Sequence, residues 1–361
     1  MRQQSDDGSC PARRTPPTSA GVSEVEAGEI LHWSGPSNPL DLEQNNIWCR
    51  TVGPPVLRPL PRLRLAGSDP VDSLAVLTWN VYVGGGDLVA FLAEELGFAC
   101  GAPERRDSVL PFHFVLLLQE VHRVSSRLPV VGPGRTIPWR IEPTPPSGDR
   151  VDITEVAERC GLALVYVPSV RNGPTEAARS REDKGNAILS TLAVTELAAI
   201  ELPFEADRKV AVAATISGPG GDRLRVTSVH LDLASTLART LRTGNATRLR
   251  QGLGLTEALD AMESLPTVVG GDFNTWSAHE SVLRRLAIEF PDSPAWDGQT
   301  TRGPFPTDHM LFRTSPGSAI QLVDGSYRKI PERYGSDHAA RILWLRGNDA
   351  GSLHHSDQVR Q

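Results

Sequence analysis

Lysine is almost missing from this sequence. Of its 37 basic residues only Lys184, Lys209 and Lys329 are lysines, and the rest are arginines. A GC-rich genome accounts for such a bias; recognition of phosphate by guanidinium forks is the functional reading beside it. A positive excess is missing too, since the net charge is −6 and the pI is about 5.9. Proteins that track a long nucleic-acid backbone draw affinity from counterion release and ordinarily carry a basic surface. Strong duplex-DNA binding is therefore not expected. No apolar run approaches the roughly 20 residues that cross a bilayer. The N-terminal stretch MRQQSDDGSCPARRTPPTSA lacks the apolar core of a secretory signal. The expectation is a cytoplasmic, monomeric protein without a transmembrane segment. Cys10, Cys49, Cys100 and Cys160 lie far apart and form no C-x-x-C pair. Neither a structural zinc site nor a disulfide framework is expected, and inert thiols are the default.

What is present suffices for a large core. The chain has 361 residues, 39% hydrophobic and 22% charged, enough for one α/β domain of about 250 to 300 residues with flanking segments. Residues 1–25 are rich in Ser, Pro, Arg and Asp and are expected to be disordered, as is the tail 347–361. His354 and His355 in that tail read as solvated residues rather than metal ligands. Residues 26–73 are Pro-rich, with Trp33, Trp48 and Cys49 around a predicted helix Asp41–Arg50. This segment is expected to wrap the main domain, which spans 74–346.

From Leu74 the pattern becomes short apolar runs separated by turns. It predicts strands over 74–81, 112–121, 162–169, 186–202, 209–216, 223–233, 266–273, 308–313 and 338–346. Helices are predicted over Asp87–Leu96, with Asp87 as N-cap after three glycines, and over Ile153–Cys160, Ala246–Leu265 and Ala278–Phe290. So many strands, several in hairpin-like succession, argue for two packed sheets with outer helices over one parallel sheet.

Several apolar runs end in a polar residue suited to metal or phosphate chemistry. Asn80 ends LAVLTWN, Glu120 ends FVLLLQE, His230 ends RVTSVH, and Asp272 with Asn274 ends TVVGGDFN. Asp308 opens DHMLFR, and Asp337-His338 opens the last predicted strand. Strand ends gathered at one sheet edge make a site that a rigid scaffold fixes. Each element alone has a bland reading: Asn80 a turn cap, Glu120 a strand meeting solvent, His230 a core histidine, Ser336-Asp337-His338 a loop. The spacing of Asp272 and Asn274 sets both on one face.

Taken in order, the blocks T-W-N (78–80), L-Q-E (118–120), K-G-N-A-I-L-S (184–190), S-V-H-L-D (228–232), G-G-D-F-N (270–274), T-D-H (307–309) and G-S-D-H (335–338) resemble the endonuclease/exonuclease/phosphatase superfamily. That superfamily includes pancreatic deoxyribonuclease, inositol polyphosphate 5-phosphatases, neutral sphingomyelinases and mRNA deadenylases. The resemblance implies a four-layer α/β/β/α sandwich of two mixed, mainly antiparallel sheets flanked by helices. It also implies a Mg²⁺ or Mn²⁺ site and hydrolysis of a phosphoester substrate, whether nucleic acid, inositol phosphate or phospholipid headgroup. Carried over block by block, Glu120 is the main metal ligand, with Asn80 and Asp337 completing the site. Asp272 orients or deprotonates water, and Asn274 holds a phosphate oxygen. His338, paired with Asp308, stabilises charge on phosphorus, and His230 serves the phosphate or leaving group. Hard cations want such oxygen donors rather than thiolates.

Two positions depart from the pattern. Tyr82 stands where some family nucleases carry an acid, and His230 has no evident acidic partner. Arg239, Arg242, Arg248, Arg250 and Gln251 reach either substrate phosphates or surface salt-bridge partners. The alternative to an enzyme is a catalytically inactive scaffold on the same fold, which would have lost one of Glu120, Asp272 or His338. All three are present.

Overall fold

Side chains along Leu74–Trp79 alternate between two cores. Leu74 and Val76 enter one cluster, while Ala75, Leu77 and Trp79 enter another. A strand buried on both faces reads as a continuous apolar run, which is why LAVLTW shows no alternation with polar residues. The computed structural model describes residues 20–24, 30–61, 71–101, 112–129, 138, 150–172, 181–233, 237–295, 300–301 and 305–347, with the backbone alone for 20–24 and 237–243.

Two sheets account for the strands. The first has seven, in the order β1 (Ala20–Glu24), β2 (Ile30–Ser34), β8 (Val194–Glu201), β9 (Val210–Ser217), β10 (Arg223–His230), β11 (Thr267–Asp272) and β12 (Asp308–Arg313). The second runs β13 (Gln321–Leu322), β15 (Arg341–Arg346), β4 (Ser73–Asn80), β5 (His113–Val124), β7 (Glu182–Ser190), β6 (Ala163–Asn172) and β3 (Val56–Arg58), with β14 (Arg328–Lys329) added beside β15. Only β2/β8, β10/β11 and β4/β5 pair in parallel. Both sheets are thus mixed and mainly antiparallel.

Three apolar clusters define four layers. One lies between the sheets, with Val76, Val115 and Leu117 from one side meeting Val212, Val226 and Val268 from the other. Helices α2 (Leu88–Leu96) and α3 (Ile153–Cys160) bury Phe91, Leu92, Val156 and Ala157 on the outer face of the second sheet. Helices α4 (Leu237–Asp260) and α5 (Ser281–Glu289) bury Leu255, Leu259, Leu283 and Leu286 on the outer face of the first. The order is α/β/β/α. Asp87 caps α2 by accepting from the Val89 and Ala90 amides, and Gly97 closes it at φ 62°.

Some sequence expectations need correction. The run 186–202 is two strands in different sheets, because the chain crosses between layers at 191–193. The last strand opens at Arg341 rather than at Asp337-His338. The long helix spans Leu237–Asp260 rather than 246–265. Residues 20–24, inside the segment expected to be disordered, pair with β2, and the wrapping segment 26–73 supplies β2 to one sheet and β3 to the other, with helix α1 (Pro39–Cys49) between them. Cys10, His354 and His355 lie outside the described residues. No described helix is long and apolar enough to cross a membrane.

The cysteine expectation fails. Cys100 and Cys160 form a disulfide across a sequence separation of 60, and Cys49 is disulfide-bonded as well. Spacing hid the pair because Cys100 follows α2 and Cys160 ends α3. These two helices share one sheet face, which brings the Cα atoms within 4.3 Å. Peptide mapping of unreduced protein should recover Cys100 linked to Cys160. Cys160→Ser should lower unfolding free energy by about 2–4 kcal/mol in a urea titration. A free Cys100 thiol in the native protein would contradict the pairing.

Candidate active site

Strand register assembles the first part of the site. β10 and β11 place His230 beside Asp272, and β11 and β12 place Asp272 beside Asp308. Three polar residues at the ends of apolar runs thereby stand in a row across adjacent strands. Asn80, the last residue of β4, reaches over from the other sheet, and its Nδ2 donates to Asp272 Oδ2 at 2.9 Å. Beneath them the sheets are tied by Gln119 Nε2 donating to Ser228 Oγ at 3.0 Å and Ser228 Oγ donating to the Leu118 carbonyl at 2.8 Å. Gly270 permits this approach. A Cβ there would lie 2.8 Å from Leu117 Cδ1 and 2.9 Å from Thr78 Cβ.

Glu120 does not end its strand. β5 continues to Val124, and its pairing with β7 slips between Leu118 and Val121. Glu120 sits in that bulge at φ 54°, a conformation that costs a non-glycine residue on the order of 1 kcal/mol and marks a re-aimed side chain. Its Oε1 accepts from Lys184 Nζ at 3.0 Å. Burial opposes ionisation of Glu120, but the charge and hydrogen bond of Lys184 outweigh it and hold the carboxyl below its ordinary value.

Asp308 and His338 are adjacent in space. Asp308 Oδ2 lies 2.8 Å from His338 Nδ1 and also accepts from Thr307 Oγ1 at 3.0 Å. The loop bearing His338 is fixed by Ser336, whose hydroxyl donates to the Asn80 carbonyl at 2.7 Å and accepts from the His338 amide at 3.0 Å. His338 Nε2 is 3.8 Å from Asp272 Oδ2 and 3.9 Å from Asp337 Oδ1. Burial alone would neutralise the ring, but Asp308 first and Asp272 second raise its pKa to about 10. Burial raises Asp272 to about 7, with Asp308 adding to the shift, while His338, the Asn274 amide and Asn80 oppose it.

Asn274 completes the group. At φ 51°, its backbone amide donates to Asp272 Oδ1 at 2.8 Å, and its Nδ2 lies 3.0 Å from His230 Nε2. Burial, then Lys209 and Lys184, push His230 well below its usual pKa, so its ring is neutral. Its carboxylate neighbour in space is Asp272, 3.7 Å away, and Asp207 acts on it more remotely. His309 plays no part in this row: buried, and lowered to about 4 by that burial, it lies 2.8 Å from both Thr275 Oγ1 and the Pro306 carbonyl. Tyr82 adopts φ 50° after its amide donates to Asn80 Oδ1 at 3.0 Å.

Two donor sets suit a cation. Glu120, Asn80 and Asp337 offer oxygens, and Asp337 Oδ1 is buried without a hydrogen-bond partner among the described residues. Burial and then the Glu120 charge raise the Asp337 pKa, against His338, as happens where carboxylates face one another. Asp272, Asp308 and His338 also bring ligand atoms within 4.8 Å of one another. A hard cation prefers oxygen donors to a ring nitrogen, so the oxygen set fits better.

The sequence reading gave no site role to Lys184, Lys209, Ser336 or Gln119, although Lys184, Ser336 and Gln119 fall inside the blocks that carry the resemblance. A signal for the two lysines existed, because lysine is so rare, Lys209 opens a strand candidate and Lys184 stands two residues before another. The arginines after His230 divide: Arg248 pairs with Glu280 at 2.7 Å, Arg250 pairs with Asp41 and Glu205, and Gln251 accepts from the Asp232 amide. The Arg239 and Arg242 side chains lie outside those described.

Comparison with known proteins gives the family and the fold. The model of the Endonuclease/Exonuclease/phosphatase family matches residues 77–338. A solved endonuclease/exonuclease/phosphatase from Beutenbergia cavernae is 19% identical at TM-score 0.50, over 76% of this chain and 72% of that one. The human Nocturnin catalytic domain, solved with a bound sulfate anion, is 17% identical at TM-score 0.48, over 80% of this chain and 100% of that one. A sphingomyelinase C from Streptomyces griseocarneus is 17% identical at TM-score 0.38, over 75% of this chain and 99% of that one. No curated protein matches significantly. With the family match running from β4 through His338, this chain belongs to the endonuclease/exonuclease/phosphatase family, whose members are metal-dependent phosphoesterases and nucleases.

Proposed function

We propose that this chain hydrolyses phosphoester bonds with a divalent cation, Mg²⁺ or Mn²⁺, by in-line attack of water, as a phosphodiesterase, nuclease or phosphatase. The observation that carries this reading is the connected row Asn80–Asp272 and Asp308–His338, drawn from both sheets. When bound by Glu120, Asn80 and Asp337, the cation supplies charge neutralisation at the phosphoryl group. Asp272, near pH 7 in its titration, suits a base that orients and deprotonates water. The His338 imidazolium, oriented through Nδ1 by Asp308, offers Nε2–H to a phosphoryl oxygen where negative charge grows. Asn274 Nδ2, shared between the Leu231 carbonyl and His230 Nε2, serves a second phosphoryl oxygen by exchanging its bond to His230. Neutral His230 supports the leaving group by a hydrogen bond, not by delivering a full charge. A scaffold that had lost catalysis would lack one of these groups, and each is retained.

The paired cysteines count against a cytoplasmic setting. Disulfides persist in oxidising compartments and are rare in the reducing cytosol, so Cys49, Cys100 and Cys160 support an oxidising location for this enzyme.

An assay panel of plasmid DNA, single-stranded DNA, RNA, an aryl phosphodiester and inositol phosphates, each with Mg²⁺ or Mn²⁺, tests the reading. Hydrolysis should vanish with EDTA and return with the cation, and Glu120→Ala should be inactive with a near-native circular dichroism spectrum. Full activity in either the chelated protein or Glu120→Ala would exclude the metal assignment.

Asp308→Asn should lower kcat by about 10²- to 10⁴-fold. In the metal-free protein, ¹⁵N spectra should find both His338 nitrogens protonated until the pH nears about 10. The sign follows from the raised pKa: the charged form dominates below it and is lost above it. Asp308→Asn should move that midpoint downward; an unmoved midpoint would sink the role given to Asp308.

Binding to a long undamaged duplex should be weak at about 150 mM salt, because a net charge of −6 offers little counterion release. A submicromolar Kd measured by fluorescence anisotropy would overturn this.

A further inference from the structure

Two bulges open a recess beside the candidate site. β5 slips against β7 between Leu118 and Val121, and β6 slips against β7 between Pro168 and Val170. Between them β7 passes through Lys184, Gly185 and Asn186. Gly185 is required there, since a Cβ would lie 2.0 Å from the Val167 carbonyl oxygen. The recess is lined by Glu120, Ser169, Lys184, Arg208, Lys209 and His230, with Val170, Gly185 and Asn186. It is continuous with the site described above through Glu120 and His230.

Its charge is unlike that of the rest of the molecule. Two of the three lysines in a chain of net charge −6 meet here, together with a fully buried arginine. Lys184 bonds to Glu120 at 3.0 Å, and Lys209 lies 3.3 Å from Asp207. Arg208 donates through Nε to Glu201 at 2.8 Å and through Nη1 to the Pro168 carbonyl at 2.9 Å. Its buried Nη2 has no hydrogen-bond partner among the described residues. The guanidinium, stacked over the Trp33 ring, is fully buried, so Arg208 acts on the recess through its charge, and Lys184 and Lys209 are the cations placed to reach an anion there. The depressed pKa of neighbouring His230, to which Lys209 and Lys184 contribute after burial, reports the same positive field.

We propose that this recess is a subsite for a second phosphoryl group of the substrate, held by Lys209 and Lys184 beside the buried charge of Arg208, next to the group that is hydrolysed. The proposal rests on the hydrolase reading and narrows its substrate class. Substrates carrying neighbouring phosphates fit, and an isolated internal phosphodiester leaves the recess unused. A phosphocholine headgroup is disfavoured, because its quaternary ammonium would face two ammonium groups and a guanidinium.

The test uses two readouts. First, pyrophosphate and inorganic phosphate are titrated into the full-length, metal-free protein by calorimetry. Pyrophosphate should bind the native protein, bind Lys209→Met about tenfold or more weakly, and recover with Lys209→Arg. Second, kcat/KM is compared for an inositol bisphosphate with vicinal phosphates and the matching monophosphate. The native enzyme should favour the bisphosphate, and Lys209→Met should collapse that ratio. Thermal midpoints monitor folding, and Lys184→Met carries the same comparison if Lys209→Met does not fold. Pyrophosphate binding equal in the native protein and Lys209→Met, with no bisphosphate preference, overturns the subsite while leaving hydrolysis of other phosphoesters intact. Lys209-dependent pyrophosphate binding without hydrolysis of any phosphoester supports the subsite as an anion site and overturns the hydrolase reading instead.

Discussion

The Asn80 amide donates to Asp272 across 2.9 Å, and in doing so joins the end of a strand in one sheet to the end of a strand in the other. Everything around it depends on how closely those two layers meet. Ordinary face-to-face sheets stand about 10 Å apart; here the absence of a side chain at Gly270 lets Thr78 and Leu117 come within contact of the opposing backbone. Gln119 and Ser228 use the same narrow gap to bond across it. Close packing below then leaves the row of Asp272, Asp308 and His230 at a rim where both sheets contribute groups.

Charge is distributed to match. Away from the rim, a buried ion is matched by its own partner: Arg123 with Asp183, which also takes the Tyr166 hydroxyl. Such pairs secure specific contacts, and removing one partner leaves an uncompensated buried charge. The Arg123–Asp183 pair also anchors the N-terminal segment, through the Gly53 amide and the Pro54 carbonyl. At the rim the balance differs. Asp272, Asp308 and Asp337 crowd one side around His338, while Lys184 and Lys209 stand beside Glu120 and His230 on the other. The two histidines end in opposite states: burial first, and then the lysines, keep His230 neutral, while Asp308 and Asp272 overcome burial and keep His338 charged.

Backbone strain gathers at the same edge. Tyr82, Val83, Glu120 and Asn274 all take positive φ; Glu120 and Asn274 belong to the blocks that mark the family, and Tyr82 lies two residues past another. Left-handed conformations in non-glycine residues persist only where surrounding contacts over-determine them. Here those contacts are the bond from the Tyr82 amide to Asn80 Oδ1, the β5 bulge and the turn closed by Asp272 Oδ1 on the Asn274 amide.

Much of this was written along the chain. Apolar runs long enough for strands buried on both faces, Asp87 after three glycines, and polar residues closing those runs at Asn80, His230 and Asp272 are local facts, and local propensity and patterning fix them. The sequence by itself therefore determined the two-sheet architecture and most of the groups at the rim. Only the tertiary structure decided which groups face one another. Asp308 and His338 lie 30 positions apart, and their 2.8 Å contact exists because β12 and the loop fixed by Ser336 end at the same rim. Glu120 reads as a strand end, yet it is aimed by a bulge that pairing with β7 creates. Cys100 and Cys160 carry no spacing signal, because their proximity belongs to two helices packed on one sheet face. The Lys184–Lys209 recess likewise arises from slips in register between strands, and register is a property of pairing that no single strand contains.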